Sequence, residues 1–345
     1  MIPHLRTPVI CLAALAASAL PDAHGTAKLE KFWGYAEFVK GDTLIVDGQR
    51  VVAGPHLKLR VANISVLSSI PLGYEVRVKG QRAANGALVA DEVEGKPNGT
   101  DGSEQEIIAA SDQAEQTWVD KKMMFEPADS GKIVKIGDIL ESGPEVDRVR
   151  RIMDKLRPSY VPASALRVRV VKTDQWNASA MANGAVWVFT GLMDAMDDDE
   201  MAIVLGHELT HYTYEHVRRN VHKGGFAQIL GVGAAVAASQ IHNQNVQTVA
   251  ALGGQLGLSA LMSGYSREFE DQADRVGLRY VYEAGFDVSK GPGLWQKFKE
   301  KYGEEDKLSN FFTGDHSRPT ERIKNIQRQL QLNYSAPAAA KATPS

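Results

Sequence analysis

Residues 32–94 read as short runs in which apolar and polar positions alternate, at 35–39, 43–46, 50–52, 75–78 and 87–93. A period of two belongs to a strand with one face on a core. Gly41-Asp42, Asp47-Gly48 and Asn85-Gly86 supply turns between the runs. Strands at this spacing predict a small closed barrel of OB-like type. Beyond Pro144 the period becomes helical: Val146, Val149, Ile152, Met153 and Leu156 predict a helix over 144–156. Residues 166–171 alternate as a strand, and a hairpin turning at Asn183-Gly184 leads into a second strand over 185–190. A long helix is predicted over 198–219. Asp197, Asp198, Asp199 and Glu200 put negative charge at its start, and Arg218 and Arg219 put positive charge at its end. Its turn at 201–205 is apolar almost all round, which places it in an interior. Further helices are expected over 266–285, stopped by Gly285, and over 319–332 with Ile323, Ile326 and Leu330 on one side.

The remaining segments are read by composition. Residues 1–27 form an expected signal peptide, with Arg6, a short apolar core at 8–20 and small residues for cleavage, which predicts export to the periplasm. Residues 97–143 are expected as a linker, with a short helix from 104 to 118 and no readable pattern after it. The Gly- and Ala-rich stretches 226–239 and 248–262 fall short of the roughly 20 residues of a spanning helix. They predict a close-packed helical hairpin, with contact to a membrane surface as the alternative. Residues 333–345 are expected to be disordered.

A formal net charge of -3 and the lack of any basic stripe or aromatic platform exclude nucleic acid as a partner. The barrel is accordingly expected to be a spacer or docking module. The one cysteine, Cys11, lies in the leader, so the mature chain has no disulfide and no thiol chemistry.

The chemistry concentrates in HELTH. His207 and His211, four apart on a helix, project from one face and can hold one Zn²⁺ per chain, while Glu208 reaches a metal-bound water. Such a site needs a third protein ligand and an open fourth position. In SREFEDQAD at 266–274, Glu270 and Asp274 share a face. Glu270 can bind the metal, and Asp274 can accept a hydrogen bond from a ligating histidine. At about 100° per residue, Glu268 points to nearly the opposite side. Ala273 and Gly277 lie near the same face and would let the two helices approach closely.

These two motifs, NASAMANGAVWVFTGL at 177–192 and HSRPTERI at 316–323 occur in an order that resembles the metallopeptidase family numbered forty-eight, over about 147–330. The resemblance implies a gluzincin-like endopeptidase. It implies that substrate backbone adds to an edge strand within 177–190, which makes Asn177, Ala178, Ala180 and Gly184 substrate-binding residues. It further implies that His316 and Arg322 flank the metal and stabilise the oxyanion. Arg322 sits in the first turn of its helix, where the dipole disfavours a cation. The chain departs from the family pattern at Ala182-Asn183, where relatives carry Pro-Gly, and at Ser317, where they carry proline.

The expected whole is α+β: a small all-β barrel at 28–96, then a mainly α-helical zincin-type metalloprotease domain with a small β-sheet at 144–332. The resemblance implies unfolded or misassembled envelope proteins as substrates, in protein quality control. One rival is a zinc-bound chaperone or assembly factor for outer-membrane proteins, working with envelope assembly machinery and with latent protease activity. Another is an interaction module in which HELTH is coincidental.

Overall fold

The computed structural model describes residues 29–97, 102–127, 133–220, 265–303 and 319–334. The leader at 1–27, the Gly/Ala-rich hairpin, His316 and the tail from 335 lie outside the described residues.

Strands β1 (Leu29–Lys40), β2 (Thr43–Val46), β3 (Gln49–Val61), β4 (Glu75–Arg82) and β5 (Leu88–Lys96) close into a barrel in the order β1-β2-β3-β5-β4. β4 pairs back onto β1, and β3 with β5 is the parallel pair. The alternation seen in the sequence puts Ala36, Leu44, Val46, Val51, Val76, Val78, Leu88, Ala90 and Val93 inside. Asp47 and Gly48, at φ 43° and 73°, make the tight turn from β2 to β3 that needs two left-handed residues.

A second sheet runs β6-β7-β8-β10-β9, built from β6 (Met123–Pro127), β7 (Ile133–Leu140), β8 (Arg167–Lys172), β9 (Ala178–Ala180) and β10 (Ala185–Phe189). β10 is parallel to β8 and antiparallel to β9, which lies at one edge of the sheet. The stretch read as linker therefore carries two strands of this sheet together with helix α1 (Gly102–Lys121). Among its described side chains α1 buries Ser111, Ala114, Glu115 and Trp118. Two of these are polar, which weakens the apolar periodicity of the sequence there.

Each face of the sheet has its own core. Ala185, Trp187 and Phe189 pack with Trp118, Phe125 and Met181, the two tryptophans edge to face at 4.9 Å. Val186 and Val188 join the larger core under α2 (Pro144–Leu156) and α4 (Asp198–Thr213). Burial on both faces explains why 185–189 reads as an unbroken apolar run. The helices α3 (Thr190–Ala195), α5 (His216–Asn220), α6 (Arg267–Glu283), α7 (Gly291–Tyr302) and α8 (Pro319–Gln329) complete this unit.

α4 starts as expected: the Asp197 carboxylate accepts from the amides of Asp199 and Glu200 at 3.0 Å each, and the Glu200 side chain accepts from the Asp197 amide at 3.1 Å. It ends earlier than expected, at Thr213, because Glu215 takes φ 52° and the chain restarts as α5. The barrel takes hold at that break. Tyr214 Oη donates to the Ala36 carbonyl at 2.6 Å, and Tyr35 Oη donates to Glu215 Oε2 at 2.7 Å. At the far end, Leu330–Tyr334 continues α8 as a π-helical turn. Asn333 and Tyr334 of the expected disordered tail are thus wound, with the Tyr334 ring 5.1 Å from that of Tyr282. Among the described residues no helix is long and apolar enough to cross a membrane.

Candidate active site and metal centre

The buried flank of α4 carries His207, Glu208 and His211, whose ligand atoms all lie within 4.8 Å of one another. His207 Nε2 and His211 Nε2 are 3.1 Å apart. Glu270, fully buried on α6, sets one carboxylate oxygen 3.5 Å from His207 Nε2 and the other 3.4 Å from His211 Nε2. Donors held tetrahedrally at about 2.0–2.1 Å from one ion stand about 3.3 Å apart. The three observed spacings straddle that value, and two imidazoles with a carboxylate suit a divalent metal ion.

His207 Nδ1 lies 3.0 Å from Asp274 Oδ1, which accepts its hydrogen bond and leaves Nε2 as the nitrogen turned toward a metal ion. Burial and the Arg322 charge lower the His207 pKa, but hydrogen bonds to Asp274 and Glu270 outweigh them and raise it to about 9. A metal ion at this site therefore competes with a proton. Arg322 donates to both oxygens of Asp274, stacks over Trp295 at 3.5 Å from the ring centroid and brings Nη1 to 4.0 Å from Glu270. Burial raises the Asp274 pKa, and Arg322 with His207 pull it below the usual carboxylate range. The cation in the first helical turn is thus committed to Asp274 and also touches His207 directly, its Nη2 standing 2.8 Å from His207 Nδ1.

Glu208 Oε2 accepts a hydrogen bond from the Ala180 amide at 3.1 Å, and its Oε1 lies 3.9 Å from His207 Nε2. The carboxylate is therefore tethered to the edge strand beside the histidines. Asn177 and Met181 turn their bonds to β10, through Phe189 N to Asn177 O and Met181 N to Ala185 O. By alternation the backbone groups of Ala178 and Ala180 face the free edge. Asn177 and Gly184 have other positions: their backbones build the hairpin, with Gly184 at φ 81° donating to Met181 O and accepting from Arg167 N. The Asn177 side-chain oxygen is buried without a hydrogen-bond partner among the described residues.

Asn183 closes the turn by accepting from Ala185 N at 3.1 Å. Its Nδ2 donates to Asp112 and Glu115 of α1 at 2.8 Å each. Glu115 also accepts from Arg167 and Arg169 of β8. Burial raises its pKa, but those hydrogen bonds outweigh burial and hold it below the usual range. α1 thus buttresses the hairpin that holds β9.

His216 stands outside every motif that the sequence marks. Its Nδ1 is 2.9 Å from His211 Nδ1, and its Nε2 is 3.0 Å from Gln272 Oε1. Burial and then the Arg219 charge push its pKa down to about 3, so the ring is neutral. On one unbroken helix His216 would sit about 140° around from His211, and only the turn at Glu215 brings it back. Tyr265, stacked on His211 at 4.2 Å, likewise lies outside those motifs.

A catalytic helix, a second helix with the third donor and an edge strand tied to the acidic residue place the chain among the HExxH metallopeptidases. The model of Peptidase family M48 matches residues 144–330, more than half of the chain, and the chain belongs to that family. It is 26% identical to metalloprotease LoiP of Escherichia coli over 231 residues, 67% of this chain and 83% of the relative. It is 29% identical to metalloprotease YcaL of Escherichia coli over 170 residues, 49% of this chain and 64% of the relative. A Vibrio cholerae protein described as a beta-barrel assembly-enhancing protease is 28% identical over 163 residues, 45% of this chain and 32% of the relative. The chain thus spans most of LoiP but less than two thirds of the other two.

Proposed function

We propose that this protein is a zinc-dependent endopeptidase of the bacterial envelope that cleaves unfolded or misassembled proteins. The observation that carries the reading is the convergence of His207, His211 and Glu270 within 3.5 Å of one another, with Glu208 alongside and tied to an edge strand. His207, His211 and Glu270 would hold one Zn²⁺, which when bound lowers the pKa of a water and polarises the scissile carbonyl. Glu208 takes the water's proton and passes it to the leaving amine. The bond from Ala180 N holds that carboxylate in place while its other oxygen remains on the histidine side. A peptide strand adds to β9, using the outward backbone of Ala178, the carbonyl of Ala180 and the side chain of Asn177. Gly184 acts by shaping the turn. Arg322 orients Asp274 and adds positive charge beside Glu270, and His316 is assigned to the oxyanion by the family pattern.

Periplasmic location rests on the leader pattern at 1–27. A second reading, an assembly factor for outer-membrane proteins with latent protease activity, is favoured by the description of the Vibrio cholerae relative. Metal analysis of the purified protein beside casein digestion, with and without a chelator, separates these readings. The endopeptidase reading expects about one zinc per chain and cleavage that chelation stops. Bound zinc with intact casein would favour the assembly factor, and absence of zinc would end both.

A further inference from the structure

The side-chain amide of Gln272, buried on α6, is sandwiched between the barrel and the metal centre. Its Nε2 lies 2.8 Å from Glu37 Oε1 on β1 and 2.7 Å from Asp47 Oδ1 in the turn from β2 to β3. A carboxylate only accepts, so both contacts require N–H and the amide has one orientation. Its Oε1 then faces the other way, where Arg219 Nη1 donates to it at 2.7 Å. A guanidinium only donates, so the same orientation is required a second time.

We infer that the barrel sets the tautomer of His211 through Gln272 and His216, and so keeps the His211 Nε2 lone pair turned to the metal position. His216 is a fully buried ring stacked on Phe269, an environment that disfavours a charged imidazole, and with Gln272 Oε1 fixed as an acceptor its proton sits on Nε2, 3.0 Å away. His216 Nδ1 is then bare and must accept, and its neighbour at 2.9 Å is His211 Nδ1. His211 therefore carries its proton on Nδ1. Its Nε2 faces His207 and Glu270 without one, which is the form that binds a metal ion. The two histidines are oriented by separate devices: Asp274 serves His207 directly, whereas His211 depends on a relay that starts in the barrel.

The carboxylates at the head of the relay are themselves pinned. Glu37, fully buried, pairs with Arg275 at 2.8 Å, and Asp47 pairs with Arg219 at 2.9 Å. His216 is clamped flat against Phe269, with ring centroids 4.7 Å apart and planes within 9°. The ring thus has little freedom to flip and exchange its nitrogens. Glu37, Asp47, Gln272 and His216 are positioning residues, and the barrel is part of the metal site's support rather than a spacer alone.

The inference rests on reading His211 as a zinc ligand, and its test separates the two. Full-length protein with ¹⁵N-labelled histidine is examined by long-range ¹H–¹⁵N NMR, and zinc affinity is measured by competition with a chelating dye for the native chain, Gln272→Leu and His216→Phe. The expected spectrum has His211 protonated at Nδ1 and His216 at Nε2. Loss of an outer partner of this kind weakens metal binding by about 10 to 100-fold, and both variants are expected in that range. A folded Gln272→Leu that binds zinc as tightly as the native chain overturns the inference. So does a native spectrum with His216 protonated at Nδ1, which decides the matter even where the variants do not fold. A native chain that binds no zinc overturns the ligand reading instead, and its spectrum still reports the two tautomers.

Discussion

Gly277 and Gly206 bring α6 and α4 into backbone contact: a Cβ on Gly277 would stand 2.7 Å from the amide nitrogen of His207 and 2.8 Å from the Gly206 carbonyl carbon. This closeness is what lets Glu270 reach the histidines of the neighbouring helix. Gly277→Ala forces the helices apart and is expected to cost about 1–3 kcal/mol, the usual range for overpacking. Zinc affinity falls with it, because Glu270 retreats. Denaturant unfolding and metal competition check both, and a variant unchanged in each would contradict this account of the packing.

Three carboxylates on α6 should respond differently. Glu270→Ala is expected to lose zinc, since it removes the proposed third ligand. Asp274→Asn keeps zinc more weakly, by about 10 to 100-fold, because it only orients His207. Exposed Glu268, which points away from the histidines, is expected to tolerate alanine with little effect on metal content. Loss of metal from Glu268→Ala with retention in Glu270→Ala would reverse the assignment.

Ala180 turns its amide away from β10, so proline there breaks no bond of the ladder, yet it removes the hydrogen bond to Glu208. Ala180→Pro is expected to bind zinc normally and to lose roughly 100-fold in kcat, the scale of a misplaced catalytic group. Native kcat in that variant would show that the tether is dispensable.

Glu115 makes a prediction about pH. Its folded pKa lies below the ordinary value of 4.5, so its stabilising contribution is complete above that value. The contribution is lost as pH falls below 4.5 through the lower folded value. Its partners Arg167 and Arg169 are about a third exposed, at 35% and 31%. Glu115→Ala is therefore expected near the lower end of the roughly 1–3 kcal/mol range for orphaned polar groups. Unfolding curves at pH 7 and pH 3 should show the difference between variant and native chain shrinking at the lower pH.

The parts of this protein that are legible in its sequence are those governed by local periodicity. Alternation marks the barrel strands. The charges around 197–200 mark the start of α4, and the spacings from His207 to His211 and from Glu270 to Asp274 mark two faces that do meet. What escaped reading depends on contacts between distant segments. α1 is hard to read because Glu115 on its buried side is held by Arg167, Arg169 and Asn183 from distant segments. His216 is out of phase with His211 on a continuous helix, and a left-handed residue at Glu215 held by Tyr35 corrects the phase. Gln272 looks like one polar residue among many until Glu37 and Asp47 stand beside it.

The most direct test of the central claim is the Glu208→Gln protein, assayed for zinc content and for cleavage of an unstructured peptide. The account predicts a folded protein with about one zinc per chain and no cleavage, because Glu208 moves the proton and does not hold the metal. Cleavage at near the native rate, with contaminating proteases excluded, would contradict it.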